Sequence, residues 1–237
     1  MNKFRFMFVV FAVLLSFTLV SKAQEEVEKS EQTYIWSSTG FDRAPTYTEV
    51  IGSPYLFEDW RMGIVRLENG KNYDGLKVKF DQLTDQLVFI GDNKKAMDFS
   101  MAVKAFDIIS FDLEGNKVVY SFINGFPPID GATEKSFYQV FDPGTSPKIE
   151  FVKRVKKVVY ERSVYSSAVK EKLIEERTYY YLLMNKRLFK IKLNQKELMK
   201  YMQDHKTELN DFVAKNKLTF KSDGDFAEAV KYYNSLN

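Results

Sequence analysis

Few residues in this chain can act as nucleophile, base or metal ligand. There is no cysteine and one histidine, which removes thiol catalysis, thiolate metal centres and any multi-histidine zinc site. His205 stands in Met202-Gln203-Asp204-His205-Lys206. As a general base it would need a nucleophile and an orienting acid beside it, so it reads as a residue that caps or packs. Ser167-Ala168-Val169-Lys170 has the Ser-x-x-Lys spacing in which a lysine activates a serine. The Ser-Asp-Asn and Lys-Thr-Gly elements that complete such a site are missing, and the match reads as chance. Asp223 and Asp225 lack the twelve-residue spacing of a calcium loop and suit a helix N-terminus, whose dipole favours negative charge. Gly70-Lys71 lacks the glycine spacing and the following Ser/Thr of a phosphate loop. A glycosidase needs two carboxylates at a set separation, and among 32 Asp and Glu the sequence singles out no pair. No catalytic, cofactor-binding or metal-ligating residue is assigned, and no cofactor is expected.

Binding chemistry is better represented. Tyr179-Tyr180-Tyr181 places Tyr180 on the strand face opposite its neighbours, so one side belongs to the core and a carbohydrate-stacking platform would need the other two exposed. Charge is unevenly distributed. Residues 24–147 carry 12 Lys+Arg against 20 Asp+Glu, residues 148–192 carry 13 against 5, and residues 193–237 carry 7 against 7. The basic stretch ends in a strand where Phe189, Ile191 and Leu193 alternate with Lys190 and Lys192. Those two lysines should line its outer face, and with Lys186 of the preceding turn they form a candidate patch for an anionic partner. They either protect an edge strand and complement the acidic half of the fold, or dock an anionic envelope component or an envelope protein.

The start of the chain reads as an export signal. Lys3 and Arg5 precede an uncharged apolar run from Phe6 to Val20, and Ser21-Lys22-Ala23 supplies small residues for cleavage before Gln24. The run is shorter than the roughly 20 residues of a spanning helix, so no transmembrane segment is expected after cleavage. A lipid anchor is not expected either, because no cysteine is present. The +3 net charge of the chain equals the contribution of Lys3, Arg5 and Lys22. A near-neutral remainder gives no electrostatic case for a nucleic-acid partner.

The elements that must hold these residues follow from periodicity and turn chemistry. Residues 24–33 are a polar lead-in, and residues 34–60 are aromatic but not periodic, suited to strapping across a sheet. From Arg61 to Leu193 short strands alternate with turns. Leu76, Val78 and Phe80 form a half-buried strand after the Asn69-Gly70 hairpin signal, and Leu87 to Ile90 suits a central strand. Ala105 to Leu113 and Val118 to Ile123 flank Glu114-Gly115-Asn116, and Arg177 to Met184 meets Arg187 to Leu193 at Asn185-Lys186. Ser163 to Glu176 reads as a short helix or a polar loop. After Leu193 the period becomes helical. Asn194 and Glu197 form a capping box, and a last helix starts near Asp225 with Ser222 or Asp223 as its cap. The fold class is α+β: an antiparallel β-meander curling into a sandwich or partial barrel, residues 61–193, with a helical subdomain of two or three short helices, residues 194–237, packed on it.

Gly52-Ser53-Pro54-Tyr55-Leu56, Val78-Lys79-Phe80-Asp81-Gln82-Leu83-Thr84-Asp85-Gln86-Leu87 and Val230-Lys231-Tyr232-Tyr233-Asn234-Ser235-Leu236, with the helical tail, resemble uncharacterised secreted proteins of Bacteroidota-type bacteria. The resemblance covers most of the chain after Ala23 and implies an envelope setting, with no known activity and no functional residue to carry over. The sequence thus reads as an exported periplasmic or extracellular protein that binds or scaffolds. A carboxylate-dependent, carbohydrate-active hydrolase and a carrier of apolar ligands are the alternatives.

Overall fold

Strand β3 (Arg61–Leu67) buries Val65 and Leu67 and turns Arg66 outward, the period-2 pattern of a sheet wet on one face. The computed structural model describes residues 40–42, 47, 50–91, 94–143, 147–163 and 170–236. The export signal, the polar lead-in, Tyr34, Trp36 and Ser167 lie outside the described residues. After β3, Gly70 takes φ +84° in the turn, and β4 (Asn72–Asp81) returns beside it, followed by β5 (Gln86–Ile90) and β6 (Ala96–Phe99). Strand β7 (Val103–Phe111) then pairs with β3, not with β6. In a flat sheet β6 and β7 would stand four strand spacings apart, about 19 Å. The chain from Phe99 to Val103 reaches at most about 14 Å. The sheet must therefore curl.

Strand β8 (Lys117–Ile123) pairs with β7, and β9 (Tyr138–Val140) joins β8 to β10 (Glu150–Ser163). The curl brings β10 back to the β4–β5 turn, where the Lys157 amide donates to the Gln82 carbonyl at 3.0 Å. Phe80, Phe106, Phe122 and Phe137 fill the space so enclosed, with ring centroids 4.9–5.9 Å apart. Strands β11 (Lys170–Met184) and β12 (Arg187–Ile191) extend the far edge, while β1 (Gly40–Asp42) lies outside β6. A short β2 (Val50–Ile51) pairs with β11 in parallel. Among the described residues the strands form one open, curled, mixed sheet, mostly an antiparallel meander, followed by three C-terminal helices.

Two expectations change. The strands are not all short: β10 and β11 run 14 and 15 residues. Residues 170–176 are strand, not helix or loop, paired with β10 as far as Ser163↔Lys170. Beyond Val158 this ribbon has side chains in solvent on both faces and is tied by Arg162–Glu171 and Lys170–Glu161 ion pairs. With both faces wet there is no apolar alternation to read.

The sheet of β10, β11 and β12 is covered twice. Helices α1 (Gln195–Tyr201), α2 (Lys206–Lys215) and α3 (Asp223–Ser235) set Leu198, Met202, Leu209, Phe226 and Val230 against Phe151, Leu182 and Ile191. On the other face Phe126 and Ala132 of the β8–β9 connection cover Val152, Tyr181 and Leu188. The Asn194 side chain caps α1 by accepting from the Glu197 amide at 2.9 Å, and Ser222 caps α3. Asp225 closes that cap by accepting from Ser222 Oγ. Asp223 is not the cap; its carboxylate accepts from Lys153 Nζ and from the Tyr180 hydroxyl, fastening α3 to the sheet.

Candidate functional site

Strand alternation sends Arg154 and Lys156 to the side of β10 opposite Lys153, where the β4–β5 turn, the β6–β7 turn and the β8–β9 connection converge. These elements bound a cleft of about 610 Å³. Its apolar wall comprises Leu87, Phe99, Met101, Val103 and Phe137, and its polar wall includes Asp85, Lys135, Ser136, Arg154 and Lys156. The β4–β5 turn is fixed by Asp81, which is fully buried and accepts from the amides of Leu83 and Thr84, both at 3.0 Å, and from the Tyr47 hydroxyl. Lys157 anchors the aromatic strap from the other side, donating to the carbonyls of Ser53 at 3.0 Å and Tyr55 at 2.6 Å. Burial lowers the pKa of that ammonium.

Arg154 is the unusual member. The residue is only 5% exposed, and among the described residues only Nη2 finds partners: Asp85 Oδ2 at 3.2 Å and Ser136 Oγ at 3.5 Å. Nε is buried with no partner. The Tyr138 hydroxyl, within electrostatic reach of Arg154 though not lining the cleft, is also buried without one. A buried donor left unpaired costs about 1–3 kcal/mol. Asp85 is itself occupied, since it also accepts from the Phe137 amide at 3.3 Å. Lys135 and Lys156 line the cleft with no side-chain partner among the described residues, against one such acid, Glu68. The uncommitted charge is therefore cationic.

The residues singled out from sequence lie elsewhere. Lys190 stands half-exposed on the β12 face that also carries buried Leu188, opposite Tyr181, and its ammonium is 2.8 Å from Asp130 and 4.4 Å from the Tyr179 ring centroid. Lys186 occupies the β11–β12 turn at φ +59°, and Lys192 is exposed just past β12. Tyr180 and Tyr181 take opposite faces; Tyr181 is fully buried and donates to Asp130, while Lys190 covers Tyr179, so the three form no exposed platform. His205 stands at the N-cap position of α2 without a side-chain cap bond and packs edge-on against Tyr233.

A second cleft of about 520 Å³ holds Lys148, Asp204 and Tyr233. These satisfy one another: Asp204 accepts from Lys148 Nζ at 3.0 Å and from the Tyr233 hydroxyl at 2.9 Å. The lysine bond holds the Asp204 carboxyl below its ordinary range. Beside them Asn234 brackets Ile149, accepting from its amide and donating to its carbonyl. That cluster ties the helical tail to the root of β10. Among the described residues no group of three His, Asp or Glu is placed to hold a metal ion, and no helix is long and apolar enough to cross a membrane.

Sequence reading did not reach Arg154, Lys156 and Lys135 as a site. The basic stretch 148–192 contains the first two, and that excess of charge was the one available signal. The chain matches no known family, curated protein or solved structure in comparison with each.

Proposed function

We propose that this is an exported, non-enzymatic binding protein of the bacterial envelope, periplasmic or extracellular, and that the cleft at Arg154 is its ligand site. The observation that carries the reading is a buried guanidinium lining a cleft of ligand size with a donor left over. The export signal supports the location. The hydrolase alternative has less support. Glu150, whose carboxyl burial pushes upward in the direction a general acid needs, does not line the cleft; of the acids that do, Asp85 is tied to Arg154 and Asp98 has a partner, which leaves Glu68 where a glycosidase needs two carboxylates. The apolar-carrier alternative meets an interior already filled by phenylalanine rings. Proton–nitrogen NMR spectra of the purified protein, titrated with a set of neutral and charged fragments, test the site. Shifts should cluster at Thr84, Leu87, Ser100 and Val103; shifts scattered over the surface would defeat the reading. Mass spectrometry of the periplasmic fraction should find an N-terminus at Gln24.

A further inference from the structure

Resting on that reading, we infer that the cleft selects a small organic carboxylate with a short apolar tail, anchored at its acid end by Arg154 and steered by Lys135 and Lys156. Two independent observations converge on the acid end. Arg154 lines the cleft and, among the described residues, only its Nη2 is hydrogen-bonded; a carboxylate oxygen supplies the charge-assisted acceptor that the remaining guanidinium donors take best. Among the described residues the cleft charges without side-chain partners are Lys135 and Lys156 against Glu68, so the field of the cleft attracts an anion. The opposite wall sets the rest of the ligand. Leu87, Phe99, Val103 and Phe137 have no polar side-chain atom, and the Met101 sulfur is already taken by the Asn69 side-chain amide at 3.1 Å, so this wall suits methylene groups. Phe99 and Val103 flank the same short connection that forces the sheet to curl, and Met101 lies within it, so the apolar wall is fixed by the fold. A polyphosphate or a free sugar would place polar surface against that wall without partners.

Hexanoate and its neutral isostere hexanamide are the probes. Titrated into the purified protein at low salt and followed by NMR, hexanoate should move the amides of Thr84, Leu87, Ser100, Val103 and Ser136, with hexanamide binding about tenfold more weakly, the effect of one charge-assisted hydrogen bond. Arg154→Lys keeps a cation for Asp85 but replaces the planar guanidinium fork with a compact ammonium that cannot hold Asp85 and a ligand carboxylate in the same geometry; it should weaken hexanoate about tenfold while the spectrum stays folded. Lys135→Gln/Lys156→Gln touches no internal partner and should weaken it about threefold at low salt and little at high salt. Equal binding of hexanamide in the cleft would overturn the carboxylate inference and leave the cleft as a binding site. Binding of only other neutral fragments there would do the same. No cleft response to any compound would remove both readings, and full hexanoate affinity in Arg154→Lys would remove the assigned anchor.

Discussion

Lys153 and Arg154 are consecutive on β10 and face opposite sides of one sheet, and they differ in how burial is satisfied. Lys153 is 21% exposed in its side chain and meets Asp223, which also receives the Tyr180 hydroxyl. Every group in that contact has a partner, and the contact joins a helix to a strand. Arg154 is deeper, at 6%, and meets Asp85 through one nitrogen only. A buried cation with matched partners is scaffold; a buried cation with surplus donors beside a cleft is a site. The two faces of β10 show both cases one residue apart.

The helix-covered face should then carry stability, and removing it has the largest effect. A chain ending before Asn194 exposes Phe151, Leu182 and Ile191 and deletes Leu198, Met202, Leu209, Phe226 and Val230. Each such side chain is worth roughly 1.5–3 kcal/mol on burial, and together they rival the 5–15 kcal/mol of a typical domain. We expect the truncated protein to show no cooperative thermal transition by circular dichroism. A transition as sharp and as high as that of the intact chain would refute this division of roles.

The next test acts on the two ion pairs directly. Asp223→Asn and Asp85→Asn each strand a cation that is largely out of water, at a cost of about 2 kcal/mol after allowing for partial exposure. The comparison is in the rescue. Hexanoate should restore much of the melting temperature of Asp85→Asn, because Arg154 lines the cleft, and none of that of Asp223→Asn, because Lys153 does not. Equal rescue of both would dissolve the distinction between scaffold and site.

Part of this layout was legible in the sequence. The turns at Asn69-Gly70, Glu114-Gly115-Asn116 and Asn185-Lys186 were readable because positive φ limits which residues fit, and Gly70, Gly115, Asn185 and Lys186 all take it. The caps at Asn194 and Ser222 follow from the need to satisfy free amides. The distal β10–β11 ribbon was not legible, since Glu171, Lys172, Glu175 and Arg177 leave no contrast between its faces. Nor was the site, because charged side chains are by default assigned to solvent. Arg154 and Lys157 are buried through contacts with Asp85, Ser53 and Tyr55, partners 69 to 104 residues away, and no local pattern reports them.

A smaller effect should appear at alkaline pH. Burial pushes the phenols of Tyr180 and Tyr181 well above their ordinary range, reinforced by bonds to Asp223 and Asp130. Their folded pKa values exceed the unfolded value near ~10, so the stability they contribute is complete below that pH and is lost as pH rises through the folded values. Lys157 acts in the opposite direction. Its folded pKa is lowered by burial, and deprotonation between the folded and unfolded values favours the fold. With several phenols raised against one ammonium lowered, we expect the melting temperature to fall above about pH 10. Tyr180→Phe should flatten that fall; an unchanged slope would detach the scaffold contact from the pH response.

The smallest effects belong to the lysines the sequence made conspicuous. Lys190 is half-exposed, and its pair with Asp130 is a surface pair, worth about 0–1 kcal/mol. Lys190→Gln should therefore lower stability by no more than that, while Lys186→Glu and Lys192→Glu should each stay within about 0.5 kcal/mol. These residues also give the comparison its sharpest control. If uncommitted donors at Arg154 define the anion site, the triple variant Lys186→Glu/Lys190→Glu/Lys192→Glu keeps its hexanoate affinity at moderate salt, because surface charge is screened beyond about 8 Å. If that variant loses hexanoate while Lys135→Gln/Lys156→Gln keeps it, the anion site lies at the lysines of β12 and its turn. The partnerless Nε of Arg154 would then be a cost of folding with no ligand to offset it.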